Sequence, residues 1–143
     1  MGYNDAKQAL QAAFRAKILA STALQSLLNG RVYDAPPPTP SFPHVLLGDM
    51  GTETLNFMGT ANCILIVTHR VYVVYKPAPG MVMDAGYQKA REVSQLVGDL
   101  FHRQPLTLTG STRKVDYVSL DDEDDERTDD TRALVLVFTI HLS

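Results

Sequence analysis

The run Ala61–Tyr75, Ala-Asn-Cys-Ile-Leu-Ile-Val-Thr-His-Arg-Val-Tyr-Val-Val-Tyr, constrains the fold more than any other segment. It is dense in Ile, Val, Thr and Tyr, whose branched or aromatic side chains suit a pleated, half-buried surface. The chain must therefore build a sheet around a long strand. Fifteen extended residues span roughly 50 Å at about 3.3 Å each, whereas a common strand has about five or six residues. Two outcomes follow from that excess. Either the strand bends near His69-Arg70, or its second half, Val71 to Gly80, leaves the sheet as an arm. Past Arg70 both parities are apolar (Val71, Tyr72, Val73, Val74, Tyr75), so an arm would need a partner to cover it.

Ahead of this strand, Asn4 to Leu28 has helical spacing, with Leu10, Ala13, Phe14 and Ile18 on one stripe and Leu24, Leu27 and Leu28 on another. The phase slip predicts a break near residue 20. Ser21 or Thr22 can cap a short second helix that stops at Asn29-Gly30. Five prolines in the eight positions 36–43 follow. They lack donors and hold their neighbours extended, so this stretch is a stiff connector. His44–Asp49 reads as a short buried strand and Glu53–Met58 as a weaker one. After Lys76-Pro77-Ala78-Pro79-Gly80, the spacing of Tyr87, Ala90, Val93, Leu96, Val97, Leu100 and Phe101 predicts a helix over Asp84–Arg103. Leu106–Thr109, Lys114–Leu120 and Arg132–Leu142 read as strands. The order predicts one domain over residues 1–143 of the α+β class. An antiparallel or mixed sheet packs on an N-terminal helix and a central amphipathic helix, with an extended strand or hairpin arm.

The formal net charge of −3 divides unevenly. Asp121 to Asp130 holds eight acidic residues and one arginine, a net −7, which leaves +4 for the rest. No basic stripe marks a nucleic-acid reader. The acidic run Asp121, Asp122, Glu123, Asp124, Asp125 and Glu126 reads as a solvated hairpin loop between the last two strands, able to dock on a basic patch or to face a passing polyanion. As an EF-hand loop it would need glycine at the sixth position and glutamate at the twelfth, where Glu126 and Arg132 stand, so the calcium reading fails. Cys63 is the one cysteine, which fits a reducing compartment. No apolar run reaches the roughly 18 residues of a membrane span, and the polar start Met1–Lys7 does not resemble a secretion signal.

Catalytic patterns are missing from the sequence. Gly110-Ser111-Thr112-Arg113-Lys114 has phosphate-loop residues in the wrong order, and no Gly-x-Ser-x-Gly elbow occurs. His44, His69, His102 and His141 are dispersed and read as solvated or hydrogen-bonded structural residues. On one strand Cys63 and His69 would lie roughly 20 Å apart, too far to share a proton. No metal site and no cofactor are expected.

Gly30-Arg31-Val32-Tyr33-Asp34-Ala35-Pro36-Pro37-Pro38, followed by Phe42-Pro43-His44-Val45-Leu46-Leu47-Gly48-Asp49, resembles the signature of the tail-completion proteins of long-tailed bacteriophages and gene transfer agents. The order of the remaining elements is similar over nearly all of the chain. Members often carry a tryptophan late in the long strand, where this chain continues through Tyr72 and Tyr75. The resemblance implies a structural virion protein, not an enzyme. It implies a tail terminator that forms a homo-hexameric ring, caps the tail tube protein and meets the head connector, with DNA passing through without specific binding. The implied location is the neck of a virion or phage-like particle, reached from the bacterial cytoplasm during assembly, with no membrane partner.

A ring also suits the residues themselves, since it needs head-to-tail contacts that close rather than a reactive cluster. Arg31, Tyr33, Arg70, Tyr72 and Tyr75 are the candidate contacts with subunits or tail tube, because Arg and Tyr are enriched in interface cores. Tyr33 and one of the two strand tyrosines fit an ordinary core equally well. Two other readings stay open at this point: a head-side stopper or adaptor of the neck, and a small α+β ligand-binding or enzymatic domain.

Overall fold

The computed structural model describes residues 3–35, 37–56, 63–77, 85–111, 113–128 and 131–143. Helix α1 (Tyr3–Ala20) and helix α2 (Thr22–Leu28) break at Ser21. The Ser21 hydroxyl accepts the Leu24 N–H at 3.3 Å, an N-cap interaction. Asn29 ends α2 in the left-handed region and Gly30 follows at φ 80°, a conformation that glycine adopts without steric cost. The chain then runs through strand β1 (Val32–Tyr33), strand β2 (His44–Asn56), strand β3 (Cys63–Tyr75), helix α3 (Ala85–Phe101), strand β4 (Val115–Thr128) and strand β5 (Thr131–Leu142). The five strands form one mixed sheet in the order β1-β2-β3-β5-β4. β1 is parallel to β2, and every other pair is antiparallel. This is an α+β fold.

β3 lies at the centre, and its side chains alternate without a break. Leu65, Val67, His69, Val71, Val73 and Tyr75 are buried, while Ile64, Ile66, Thr68, Arg70, Tyr72 and Val74 are half-buried or exposed. Period-two alternation of this kind places one face of the sheet against the helices and leaves the other without a helix among the described residues. The helices supply the core: Ala6, Leu10, Phe14 and Ile18 of α1, Leu24 and Leu28 of α2, and Ala90, Val93, Val97 and Phe101 of α3 are all buried. At its centre Phe14 stacks on Phe101 with ring centroids 4.1 Å apart and meets Phe138 and His69 edge-on at 5.6 and 4.9 Å.

Four expectations are corrected. Val71–Tyr75 does not leave as an arm, because Val71–Val74 pair with β2 over Leu47–His44 and Val71–Tyr75 with β5 over Leu136–Arg132; residues 78–80 of the expected arm lie outside the described residues. His44–Asp49 and Glu53–Met58 merge into β2, whose register shifts between Leu47 and Met50; only residues 57 and 58 lie outside the described residues. The acidic run is not a loop. Asp121–Glu126 belongs to β4 and pairs with β5, and the connection at 129–130 lies outside the described residues. Leu106–Thr109 forms no strand, since its two leucines pack on the core while Lys17 Nζ donates to the Pro105 carbonyl at 2.9 Å.

The expected bend near His69-Arg70 has a counterpart in the neighbouring strands. The irregularity in β2 lies beside Arg70, and that in β4, between Leu120 and Asp122, lies beside Phe138 and Val137, the β5 partners of His69 and Arg70. Both flanking bulges thus sit on one line across the sheet. Bulges bend a strand and increase its twist, so this line is where a long sheet can curve while β3 stays continuous.

Candidate interaction face

The face of the sheet turned away from the helices collects most of the contact residues proposed from sequence. Arg70 and Tyr72 stand on it from β3, and Tyr33 joins through the parallel pair Tyr33–Leu46, since Leu46 is the β2 partner of Tyr72. Arg70 is exposed and ion-pairs with Asp49 at 3.6 Å, a solvated contact that contributes little to stability. Tyr72 lies across Gly48. A Cβ added to Gly48 would collide with the Tyr72 ring and stand 2.8 Å from the Arg70 carbonyl, so this close approach requires glycine. Burial raises the pKa of the Tyr72 hydroxyl above its ordinary value. Asp49 and Glu126 push in the same direction and Arg70 opposes them.

Arg31 and Tyr75 are placed elsewhere. Arg31 Nε donates to the Pro43 carbonyl at 2.8 Å and its Nη2 to the Leu27 carbonyl at 3.0 Å, clipping the end of α2 to the end of the connector. Tyr75 is 1% exposed on the core side, edge-on to Tyr87 at 5.9 Å. Its hydroxyl has no hydrogen bond of normal geometry although Arg132 is nearby, and burial raises its pKa, with Asp125 adding to the rise. Of the two strand tyrosines, Tyr75 is the core residue. Tyr33 is half-buried, its ring 5.5 Å from that of His44, and Phe42 flanks the same imidazole at 5.3 Å.

β4 is an edge strand, and it is closed in two ways. Up to Leu120 the turn after α3 covers it: Arg103 N–H donates to the Val118 carbonyl at 2.8 Å, and Leu120 N–H donates to His102 Nδ1 at 2.9 Å. Beyond that point the strand carries the acidic run, exposed from Asp121 through Arg127. The carboxylates of Asp122 and Asp124 accept the backbone N–H groups of Glu123 and Asp125 at 2.9 and 2.8 Å. A charged edge with occupied donors resists pairing with another strand. Asp121 is the extra residue of the bulge. Its carboxylate accepts the hydroxyls of Thr139 and Ser119, which hold its pKa below the usual carboxylate range.

The register divides the remaining acids between the two faces. Asp122, Asp124 and Glu126 share the open face with Val137, Val135 and Ala133, whereas Glu123 and Asp125 share the helix side with Leu136 and Leu134. Such a division prevents a run of carboxylates from converging on one ion. Among the described residues no group of three His, Cys, Asp or Glu side chains is placed to hold a metal. His69 departs from the reading of the histidines as solvated or hydrogen-bonded, because it is fully buried with no partner of normal geometry at either ring nitrogen. Burial lowers its pKa to about 4, against opposing contributions from the backbone and the charge of Asp49.

Comparison with known proteins places this architecture. The family model for tail completion protein gp17 matches residues 12–142. The chain belongs to the tail completion protein family. Among solved structures, a chain of the virion of a native gene transfer agent particle is similar, with a TM-score of 0.80 and 24% identity over 99% of this chain and 98% of that one. A second solved chain shares 15% identity at a TM-score of 0.50, covering 98% of this chain and 96% of that one. No curated protein matches. Among the described residues no helix is long and apolar enough to cross a membrane.

Proposed function

We propose that this tail completion protein is a tail terminator: a structural component of a phage or phage-like particle, not an enzyme, that assembles as a hexameric ring, caps the tail tube and joins it to the head connector. The observation that carries this reading is the family match over residues 12–142. The fold supports it, because the sheet face that carries Tyr33, Arg70 and Tyr72 has no helix on it among the described residues and offers a contact surface. The gene transfer agent chain comes from a virion, which supports a place in such a particle. DNA passes through the ring without specific binding, consistent with a chain of net charge −3 that lacks a basic stripe.

The test is reconstitution. Purified protein added to polymerising tail tube protein should shorten the tubes and leave a ring at one end in negative-stain micrographs. Tubes that grow unchanged, with the protein bound instead to isolated head connectors, would favour the head-side stopper.

A further inference from the structure

Leu106–Thr109 has the pattern of a strand and no strand beside it. Leu106 and Leu108 are half-buried against the core while Thr107 and Thr109 are exposed, the period-two alternation of an extended segment lying on one layer. Among the described residues none of the four donates or accepts a backbone hydrogen bond, in contrast to Gln104 and Lys114 on either side, whose N–H groups bond the Phe101 and Ser143 carbonyls. Helix α1 turns Ala9, Ala12, Ala13 and Ala16 toward this segment, and a groove of about 460 Å3 separates the two. Ala12 and Ala16 are exposed, where a surface helix ordinarily carries charged or polar side chains. Lys17 lines the same groove. Its contacts are the Pro105 carbonyl and the Phe101 ring, 5.6 Å from the ammonium to the centroid, and it forms no ion pair among the described residues.

We propose that this groove takes an extended segment of another protein by strand addition: its backbone pairs with Leu106–Thr109, its uncharged side chains pack on the four alanines, and one carboxylate meets the Lys17 ammonium. An unpaired row offers both N–H donors and C=O acceptors, which is what an added strand binds. Alanine ends at Cβ, so the α1 side of the groove leaves room for a second backbone. Charge complementarity fixes the rest of the chemistry. Lys17 is the one charged side chain lining the groove among the described residues, so a single carboxylate is matched and a basic segment is repelled. Burial also lowers the pKa of that ammonium, a sign of lost hydration that a counter-ion would offset. A second copy of this chain is disfavoured as the donor. In β4 the carboxylates crowd together and Asp122 and Asp124 occupy the N–H groups of Glu123 and Asp125; β2 is already paired with β3; and the connector over residues 35–43 has five prolines without donors and no carboxylate.

The probe is a short acetylated peptide that alternates threonine and alanine and ends in a free carboxylate, compared with the same peptide amidated. Hydrogen exchange of the full chain is the readout. The acid peptide should slow exchange of the Leu106–Thr109 amides, and the amidated one should bind about tenfold more weakly, the loss of one charge-assisted hydrogen bond. Lys17→Gln should remove that preference. Ala12→Leu with Ala16→Leu, at two exposed helix positions that leucine suits, should fill the groove and abolish the protection without lowering the melting temperature. Unchanged exchange at Leu106–Thr109 in the presence of peptide, or equal binding of acid and amide, would overturn the proposal. Protection that appears without peptide and rises with protein concentration would assign the groove to a second copy and overturn it as well. No tail tube enters this measurement, so the terminator reading stands or falls separately.

Discussion

His69 places an imidazole in the aromatic centre of the core, edge-on to Phe14 and without a hydrogen bond of normal geometry. In the unfolded chain it titrates near its ordinary 6.5, in the folded chain near 4. Between those values the unfolded state binds more protons. Stability is therefore complete above pH 6.5 and lost as pH falls toward 4, by at most about 3 kcal/mol. Urea midpoints at about pH 7.5 and about pH 4.5 should show the loss, and His69→Leu should remove most of it; an unchanged slope in the variant would assign the effect to other groups. Gly48 makes a second prediction at this scale. Gly48→Ala forces the Tyr72 ring or the Arg70 backbone to move, at about 1–3 kcal/mol, typical of overpacking. Thermal unfolding reads that cost directly, and a neutral substitution would contradict the close packing of Tyr72 on β2.

At the scale of elements, periodicity made the helices legible. The stripe Leu10-Phe14-Ile18, the Ser21 cap and the spacing in α3 each correspond to observed packing. β3 was legible as a strand but not as a central one. Val71–Tyr75 looks overly apolar only while one face is assumed solvated, whereas a strand paired on both sides sends Val71, Val73 and Tyr75 into the core. Deleting it would remove the middle of the sheet rather than an arm. The acids of β4 were unreadable as strand because Asp and Glu are poor strand formers, and here pairing with β5 overrides that preference. The gap between His44–Asp49 and Glu53–Met58 likewise read as a break, where one strand continues past a register shift between Leu47 and Met50. From the closed edge comes a third prediction: Asp122→Thr with Asp124→Thr frees the N–H groups of Glu123 and Asp125 and lowers the charge. Dynamic light scattering should then show concentration-dependent, open-ended association absent from wild type. Unchanged particle size would mean that the acids do not guard the edge.

For the whole molecule, the described helices all lie on one face of the sheet, so the subunit has two unlike sides. Of the five contact residues proposed from sequence, Tyr33, Arg70 and Tyr72 converge on the open face, because strand parity and the β1–β2 register align them. Arg31 and Tyr75 were chosen by residue type, and type alone does not distinguish an interface side chain from a clip or a core ring. The most direct test of the terminator role is electron microscopy of particles assembled without this protein. The account predicts tails of irregular, excessive length that remain detached from heads, and tails of normal length joined to heads would contradict it.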